Sequence, residues 1–340
     1  MTLMHKEAAE APAIVNAQIA AHAAPIAALA RDLRRTPPRL VLTCARGSSD
    51  HAALYAKYVI ETHLRVPVAS MAPSIVSVER TPPRDLSGAL LIAISQSGRS
   101  PDIVANAVAA RAAGARVLAL VNAPASPLAD AATDVLPLLA GMERSVAATK
   151  SYIASLSVVL HLVARWTGDA AMGNELANLP DTLDRALALD WTAAIPLLRD
   201  ATSLFTVSRG PGLGIAHEIA LKLKETCALH AEAFSAAEVE HGPMAIVHDG
   251  FPVIMLAAAG RQASDVAELA GRFAARGAKV ALAGARMKGT TPLPTLSGLH
   301  PAVTPITWVQ SFYPMAAALA EARGLNPDAP PYLNKVTETR

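Results

Sequence analysis

The feature that most constrains this chain is that it says the same thing twice. Thr43-Cys44-Ala45-Arg46-Gly47 is answered by Thr206-Val207-Ser208-Arg209-Gly210, and Glu61-Thr62 by Glu225-Thr226. The stretch Ala109-Ala110-Arg111-Ala112-Ala113-Gly114-Ala115-Arg116-Val117 returns as Arg272-Phe273-Ala274-Ala275-Arg276-Gly277-Ala278-Lys279-Val280. A repeat this long is a duplicated domain. The 340 residues also suit two cores of roughly 150 residues better than one. Within each copy short apolar runs alternate with helical patterns, which predicts parallel sheets covered by helices, an α/β protein. In the first copy Leu40–Cys44 reads as a buried strand, Arg46–Ser49 as a loop and Asp50–Glu61 as a helix. The strand Ala89–Ile94 runs into Ser95-Gln96-Ser97-Gly98-Arg99-Ser100. Pro101 then opens a helix, where its missing N–H is no loss. Arg116–Val121 is the next strand and Thr149–Trp166 a long helix. Residues 174–199 read as a helical linker, Gln310–Arg323 as the last helix, and an extended Pro-rich tail follows.

The copies differ at one informative place. Ser95, Gln96 and Ser97 become Ala257, Ala258 and Ala259, so only one copy keeps a polar loop. That loop sits at the carboxyl end of a predicted parallel strand, just before a helix, where open α/β sheets bind ligands. A helix N-terminus offers unpaired N–H groups and a positive partial charge, serines add hydroxyl donors, and Gly98 lets the backbone come close. A phosphate is the natural guest. A single Ser-x-Ser-Gly is more often an ordinary capped turn. Here Gly47-Ser48-Ser49 repeats the context, and the alanine copy serves as an internal control.

In the second copy Lys222 and Glu225 are three apart on a strongly helical stretch and so share a face. Taken alone they read as a surface ion pair of little consequence. Glu238-Val239-Glu240-His241-Gly242-Pro243 marks a turn, and a histidine flanked by acids is suited to proton transfer near pH 7. On its own, His241 is more often a plain loop residue. His161 reads as a packed core residue, and Lys335 as a lysine of the kind usually solvated near a chain end.

Composition narrows the function classes. Hydrophobic residues reach 52%, but alanine supplies much of that and aromatics only 4%. The apolar helical stretch Tyr152–Trp166 is too short to span a bilayer. Glu7 and Glu10 stand where a signal peptide would be apolar, so no leader and no membrane partner are expected. Net charge is +2 with both signs dispersed, and nucleic acid is not an expected partner. Two cysteines, Cys44 and Cys227, form neither a disulfide framework nor a metal-ligand spacing, which fits a reducing, cytoplasmic setting.

Taken as a set, Ser95-Gln96-Ser97-Gly98, Val146-Ala147-Ala148-Thr149-Lys150, Ala220-Leu221-Lys222-Leu223-Lys224-Glu225, His230-Ala231-Glu232 and His241-Gly242-Pro243 resemble the SIS (sugar isomerase) family. The resemblance runs from about residue 25 to 340. It is nearest to the isomerase half of glutamine–fructose-6-phosphate aminotransferases and to the short SIS-type glucosamine-6-phosphate deaminases. It implies two flavodoxin-like α/β/α domains over residues 28–170 and 190–325, with a tail over residues 326–340 entering the active site. It implies that Ser48, Ser49, Ser95, Gln96, Ser97 and Ser100 grip a sugar phosphate, and that Glu225 moves a proton between C1 and C2. His241 would open the sugar ring from the neighbouring subunit of a homodimer. Lys222 belongs to the same site, and Lys335 would contact the open-chain carbonyl. Val146, Ala148 and Asn334 fall in the sugar pocket. No cofactor or metal is implied.

The sequence also departs from the family pattern. Ser-Gly-Glu-Thr is here Ser97-Gly98-Arg99-Ser100, Val-Ala-Ser is Val146-Ala147-Ala148, and Asn334 stands where the aminotransferase tail has alanine. Thr2 follows Met1 where the aminotransferases carry a nucleophilic cysteine, and few residues precede the first repeat. The expected function is therefore a phosphosugar isomerase/deaminase converting glucosamine 6-phosphate to fructose 6-phosphate and ammonia. The alternatives are another aldose–ketose sugar-phosphate isomerase, a fructosamine-6-phosphate deglycase, or a non-catalytic sugar-phosphate sensor. A sensor would need only the phosphate loops, not Glu225, His241 and Lys335.

Overall fold

The structure is a computed structural model and describes residues 1–258, 261–333 and 335. Each half of the chain forms a five-stranded, wholly parallel sheet. The first contains β1 (Leu40–Cys44), β2 (Val68–Ser70), β3 (Ala89–Ser95), β4 (Arg116–Val121) and β5 (Asp134–Pro137), in the order β2-β1-β3-β4-β5. The second contains β6 (Ser203–Ser208), β7 (His230–Ser235), β8 (Pro252–Leu256), β9 (Lys279–Ala283) and β10 (Thr291–Leu293). Its order is β10-β9-β8-β6-β7, which is the first order read from the other edge. Both are the flavodoxin-like order, in which the chain winds one way, returns to the centre and winds the other way. The register is tight at the centre: Val41 stands opposite Val68 on one side and Leu90 on the other.

Helices on both faces explain why the central strands read as unbroken apolar runs. All seven residues of β3 and all five of β8 are buried. In the first sheet Leu42, Leu91 and Val117 pack against Ile103, Ala107 and Ala110 of the helix Pro101–Ala112. In the second, Phe205, Val253, Met255 and Leu282 meet Val266, Leu269 and Phe273 of the helix Arg261–Ala275. Phe205 adds edge-on contacts to Phe234 and Phe251, with ring centroids 4.9 and 5.0 Å apart.

The chain divides into two compact units. One comprises Ala13–Glu143 and Lys150–Ala177 together with Lys335, and is called the β1–β5 unit. The other, the β6–β10 unit, comprises Met1–Pro12, Arg144–Thr149 and Asn178–Leu333.

The N-terminus forms helices Leu3–Ala9 and Ala11–Arg35, which the sequence reading did not anticipate. In the β6–β10 unit the first is tied down at both ends. The Leu3 and Met4 amides donate to the Asp328 carboxylate at 2.7 Å each, and Gln310 Nε2 donates to the Ala8 carbonyl at 3.0 Å. Residues 3–35 are long and apolar enough by composition to cross a membrane, longer than the Tyr152–Trp166 stretch singled out above. Within the β1–β5 unit, however, Gln18 Nε2 donates to the carbonyls of Leu138 (2.7 Å) and Ala154 (3.1 Å), and His22 Nε2 lies 2.7 Å from the Pro137 carbonyl. That helix face is packed against protein, since polar groups facing hydrocarbon would lack these partners.

Two further expectations are refined. Residues 174–199 are helical as read, but in short segments: Ala170–Ala177, Leu179–Leu187, Thr192–Ala194 and Ile195–Leu198. Prolines at 180 and 196 each sit in a first helical turn, where they favour restarting a helix. The last helix begins at Thr304, earlier than Gln310, with Pro305 in its first turn and Pro314 inside it. Its burial holds it together across Pro314: Trp308, Val309, Phe312 and Tyr313 are all core residues.

Candidate active site

The order β2-β1-β3 makes the carboxyl ends of β1 and β3 the point where the sheet reverses its winding, the usual ligand crevice of an open α/β sheet. The two polar loops lie there. Ser48 and Ser49 open the helix Ser48–Leu64, immediately after Gly47, and are half-buried. Ser95 closes β3 and is buried, and its Oγ accepts a hydrogen bond from the Gly98 amide at 3.1 Å. Ser97 Oγ accepts from the Arg99 amide at 3.2 Å. Ser100 stands at the N-cap of the helix Pro101–Ala112 without using its side chain as a cap. The loop is therefore wound into a tight turn with Gln96, Ser97 and Ser100 half-buried at a helix N-terminus.

Gly98 makes that turn possible. Its φ is +63°, and a Cβ there would come within 2.2 Å of Ser126 Oγ and 2.7 Å of Ser126 Cβ. No side chain fits without moving the neighbouring strand-end loop.

A contact the sequence reading passed over joins the two loops. Arg46, just after β1, donates through Nε and Nη2 to Asp102 Oδ2, both at 2.8 Å, and Asp102 is wholly buried in the first turn of the following helix. The second copy repeats the device with Arg209 Nη1 and Asp265 Oδ2 at 2.7 Å. There the loop begins with buried Ala257 and Ala258, while Ala259, the third alanine of the comparison, lies outside the described residues. Because the clasp persists where the hydroxyls are gone, it belongs to the fold and not to the ligand. The repeated Arg-Gly pairs were the signal that could have revealed it.

In the β6–β10 unit the helix Gly212–Cys227 carries a charged cluster that is not the surface pair expected from the sequence. Lys222 is 1% exposed and is ion-paired with Glu225, whose side chain is 22% exposed. It also lies 3.6 Å from Glu218, which is fully buried and 3.4 Å from the Tyr313 hydroxyl. The correction has a simple cause: this helix is clamped between β6, β7 and the helix Thr304–Ala322, so its lysine face points inward. Glu218 was missed, although its position one turn before Lys222 was readable. One ammonium is thus shared by two carboxylates, and Glu225 is the carboxylate that solutes can reach.

His241 ends the turn Glu238–His241 and is exposed. Gly242, with φ +135°, breaks the chain before the next turn, Pro243–Ile246. Arg272 grips Glu240 with two bonds of 2.9 and 2.6 Å and holds that carboxyl below its ordinary value. His241 makes no side-chain hydrogen bond among the described residues. Val146 and Ala148 are half-buried in the same unit, on a segment whose Arg144 and Ser145 amides both donate to the Glu7 carboxylate, the latter at 3.1 Å.

Lys335 belongs to the β1–β5 unit and is not simply solvated. Its Nζ lies 2.9 Å from Oε2 of Glu143, a buried residue that the sequence reading did not single out. Asn334 lies outside the described residues. Three further buried titratable groups pack into the core. His161 is buried, and desolvation, with Arg165 and His22 adding to it, pushes its pKa down to about 4. Burial likewise pushes the Cys44 thiol up to about 12 and Cys227 to about 11, which keeps both unreactive.

Comparison with known proteins agrees with this architecture. The SIS-domain model matches residues 37–165 and again 197–312. The chain belongs to the SIS-domain family and carries two copies in tandem. It is 33% identical to the isomerizing glutamine–fructose-6-phosphate aminotransferase of Zymomonas mobilis, over 98% of this chain and 58% of that protein. It is 34% identical to the Pyrococcus horikoshii aminotransferase, over 87% of this chain and 51% of that protein. The chain thus spans about half the length of these relatives. Among solved structures it resembles a proposed phosphosugar isomerase from Silicibacter pomeroyi, with a TM-score of 0.92, 42% identity, and coverage of 96% of this chain and 100% of that one. It also resembles the C-terminal domain of the Francisella tularensis glucosamine-fructose-6-phosphate aminotransferase, with a TM-score of 0.87, 25% identity, and coverage of 97% and 98%. A glucosamine-6-phosphate deaminase from Thermotoga maritima shares the fold at 19% identity, with a TM-score of 0.77 and coverage of 99% and 100%.

Proposed function

We propose that this protein is a phosphosugar isomerase acting on an amino sugar, and that it converts glucosamine 6-phosphate and water to fructose 6-phosphate and ammonia. The observation that carries the reading is the Lys222–Glu225 pair: a buried ammonium beside a carboxylate that remains accessible. A sensor of sugar phosphates has no use for such a pair. A C2-to-C1 proton transfer uses both members, the carboxylate to carry the proton and the ammonium to offset charge developing on the sugar oxygen.

In this reading Ser48, Ser49, Ser95, Gln96, Ser97 and Ser100 hold the 6-phosphate. Hydroxyls and helix N-terminal amides suit a dianion without bringing a counter-charge into the acid–base centre. His241, supplied by the second subunit of a homodimer, opens the ring. Its exposure supports that role, because a residue completing a neighbour's site must project from its own subunit. Glu225 then takes the C2 proton and returns it to C1, giving the ketose imine. Lys335 faces the open-chain carbonyl, and Val146 and Ala148 border the sugar. Water adds to the imine carbon, the C–N bond breaks, and the nitrogen leaves as ammonia.

Ala148 favours keeping a second substrate in view, because it offers no hydroxyl to the substituent at C2. Fructosamine 6-phosphate or a neutral aldose phosphate would use the same acid–base groups. Purified protein assayed for ammonia and fructose 6-phosphate from glucosamine 6-phosphate tests the proposal. Turnover of an aldose phosphate or fructosamine 6-phosphate, with no ammonia released from glucosamine 6-phosphate, would overturn the amino-sugar assignment and leave the isomerase class standing.

A further inference from the structure

Glu143 is a carboxylate whose side chain is wholly buried, and hydrogen-bond donors from Ser151 and Lys335 meet it within the β1–β5 unit. The Ser151 amide donates to Oε1 at 3.2 Å, the Ser151 hydroxyl to Oε2 at 2.7 Å, and Lys335 Nζ to Oε2 at 2.9 Å. Ser151 lies in the first turn of the helix Lys150–Thr167, and its carbonyl accepts from Ser155 Oγ at 2.9 Å. The positive end of a helix favours an anion at this place. The carboxylate is therefore mounted on a rigid element. The lysine it holds comes from near the end of the chain and keeps a quarter of its side chain exposed. A buried anion facing a solute-accessible ammonium is an arrangement that fixes where an amine is presented.

We infer that Glu143 is a positioning residue, which anchors the Lys335 ammonium to the first turn of the Lys150–Thr167 helix and so sets where the tail presents its amine to the sugar. The inference rests on the proposed function for what Lys335 does once it is placed. The anchoring itself does not depend on that function. Lysine is well suited to the part: its long stem reaches in from a tail whose described residues form neither sheet nor helix, and its charge provides the one property a buried carboxylate needs. A tail lysine without such a partner would sample many rotamers, and misplacing a reacting group by about 1 Å costs on the order of 10²-fold in rate.

The experiment uses the full chain and the variants Glu143→Gln, Lys335→Met and their combination, each checked for folding by thermal denaturation. The first readout needs no turnover. Amine-selective acylation followed by mass spectrometry reports the reactivity of each lysine. Lys335 should become about fivefold more reactive in Glu143→Gln, as loss of a partly exposed ion pair implies, while lysines 57 and 279 stay unchanged. The second readout is kinetic. Glu143→Gln should lose kcat by about 10²-fold with KM within about twofold, and the double variant should be no worse than Lys335→Met, because the two residues act as one unit. If Glu143→Gln fails to fold, Ser151→Ala leaves the carboxylate in place but loosens its mount, and Lys335 should then gain reactivity in smaller measure. Unchanged Lys335 reactivity in the folded variants, or rate losses that multiply in the double variant, would overturn the inference. Full activity in Lys335→Met, with the acylation result as expected, would instead overturn the catalytic use of Lys335 and leave the anchor intact.

Discussion

Replacing Gly98 by alanine isolates the geometry on which the phosphate-loop reading rests. At φ +63° an added Cβ meets the left-handed penalty, about 1–2 kcal/mol. It also meets Ser126 Oγ at 2.2 Å and Ser126 Cβ at 2.7 Å, and overpacking of that kind typically costs about 1–3 kcal/mol. Together these give roughly 2–5 kcal/mol of destabilisation, measured by urea unfolding. Shortening the neighbour separates the two parts. In Gly98→Ala with Ser126→Gly, compared with Ser126→Gly alone, the clash disappears because Val121 Cγ1, at 3.5 Å, is then the contact that remains. The penalty should fall to the backbone share of about 1–2 kcal/mol. Affinity for a sugar phosphate, read by calorimetry, should fall in Gly98→Ala and recover in part with Ser126→Gly. If Gly98→Ala unfolds within about 0.5 kcal/mol of the parent, the size of an ordinary surface change, the close approach is not what holds the loop. If Ser126→Gly restores nothing, the clash is wrongly located.

Three other outcomes are expected. Since the folded-state pKa of His161 lies near 4, below its ordinary 6.5, protonation favours the unfolded chain; stability should fall as pH drops from about 6.5 to about 4, by about 3 kcal/mol in all, and His161→Gln should lack that share of the loss in unfolding titrations. Glu225→Gln should fold normally, lose kcat by about 10²–10⁴-fold with KM little changed, and cease exchanging the substrate's C2 proton with deuterated water; near-normal exchange would move the base elsewhere. Mixing inactive His241→Ala with inactive Glu225→Ala should restore part of the activity through hybrid sites, and no recovery after subunit exchange has been shown by mass would refute a shared site.

Much of the fold was readable because parallel sheets impose a local signature. A strand covered on both faces must be apolar throughout, so Leu40–Cys44 and Arg116–Val121 were bounded correctly and Ala89–Ile94 fell one residue short. The duplication then carried the topology from one half to the other. The sequence reading passed over the N-terminal helices, and it misplaced the start of the last helix because prolines at 305 and 314 obscured it. The candidate loops were readable by contrast between the copies, serines against alanines.

What the sequence determined by itself was therefore residue type and order along each element: which strands end in hydroxyls, which helix carries Lys222 and Glu225, which turn carries His241. Burial and long-range pairing were decided only by the tertiary structure. Lys222 and Glu225 look like a surface pair in one dimension, and they differ from one only because the helices and strands packed around Gly212–Cys227 exclude water from the ammonium. Arg46 finds Asp102 across 56 positions, and Lys335 finds Glu143 across 192. No local propensity encodes such pairs. They exist because a carboxylate buried by folding must find a cation, and the fold determines which one is in reach.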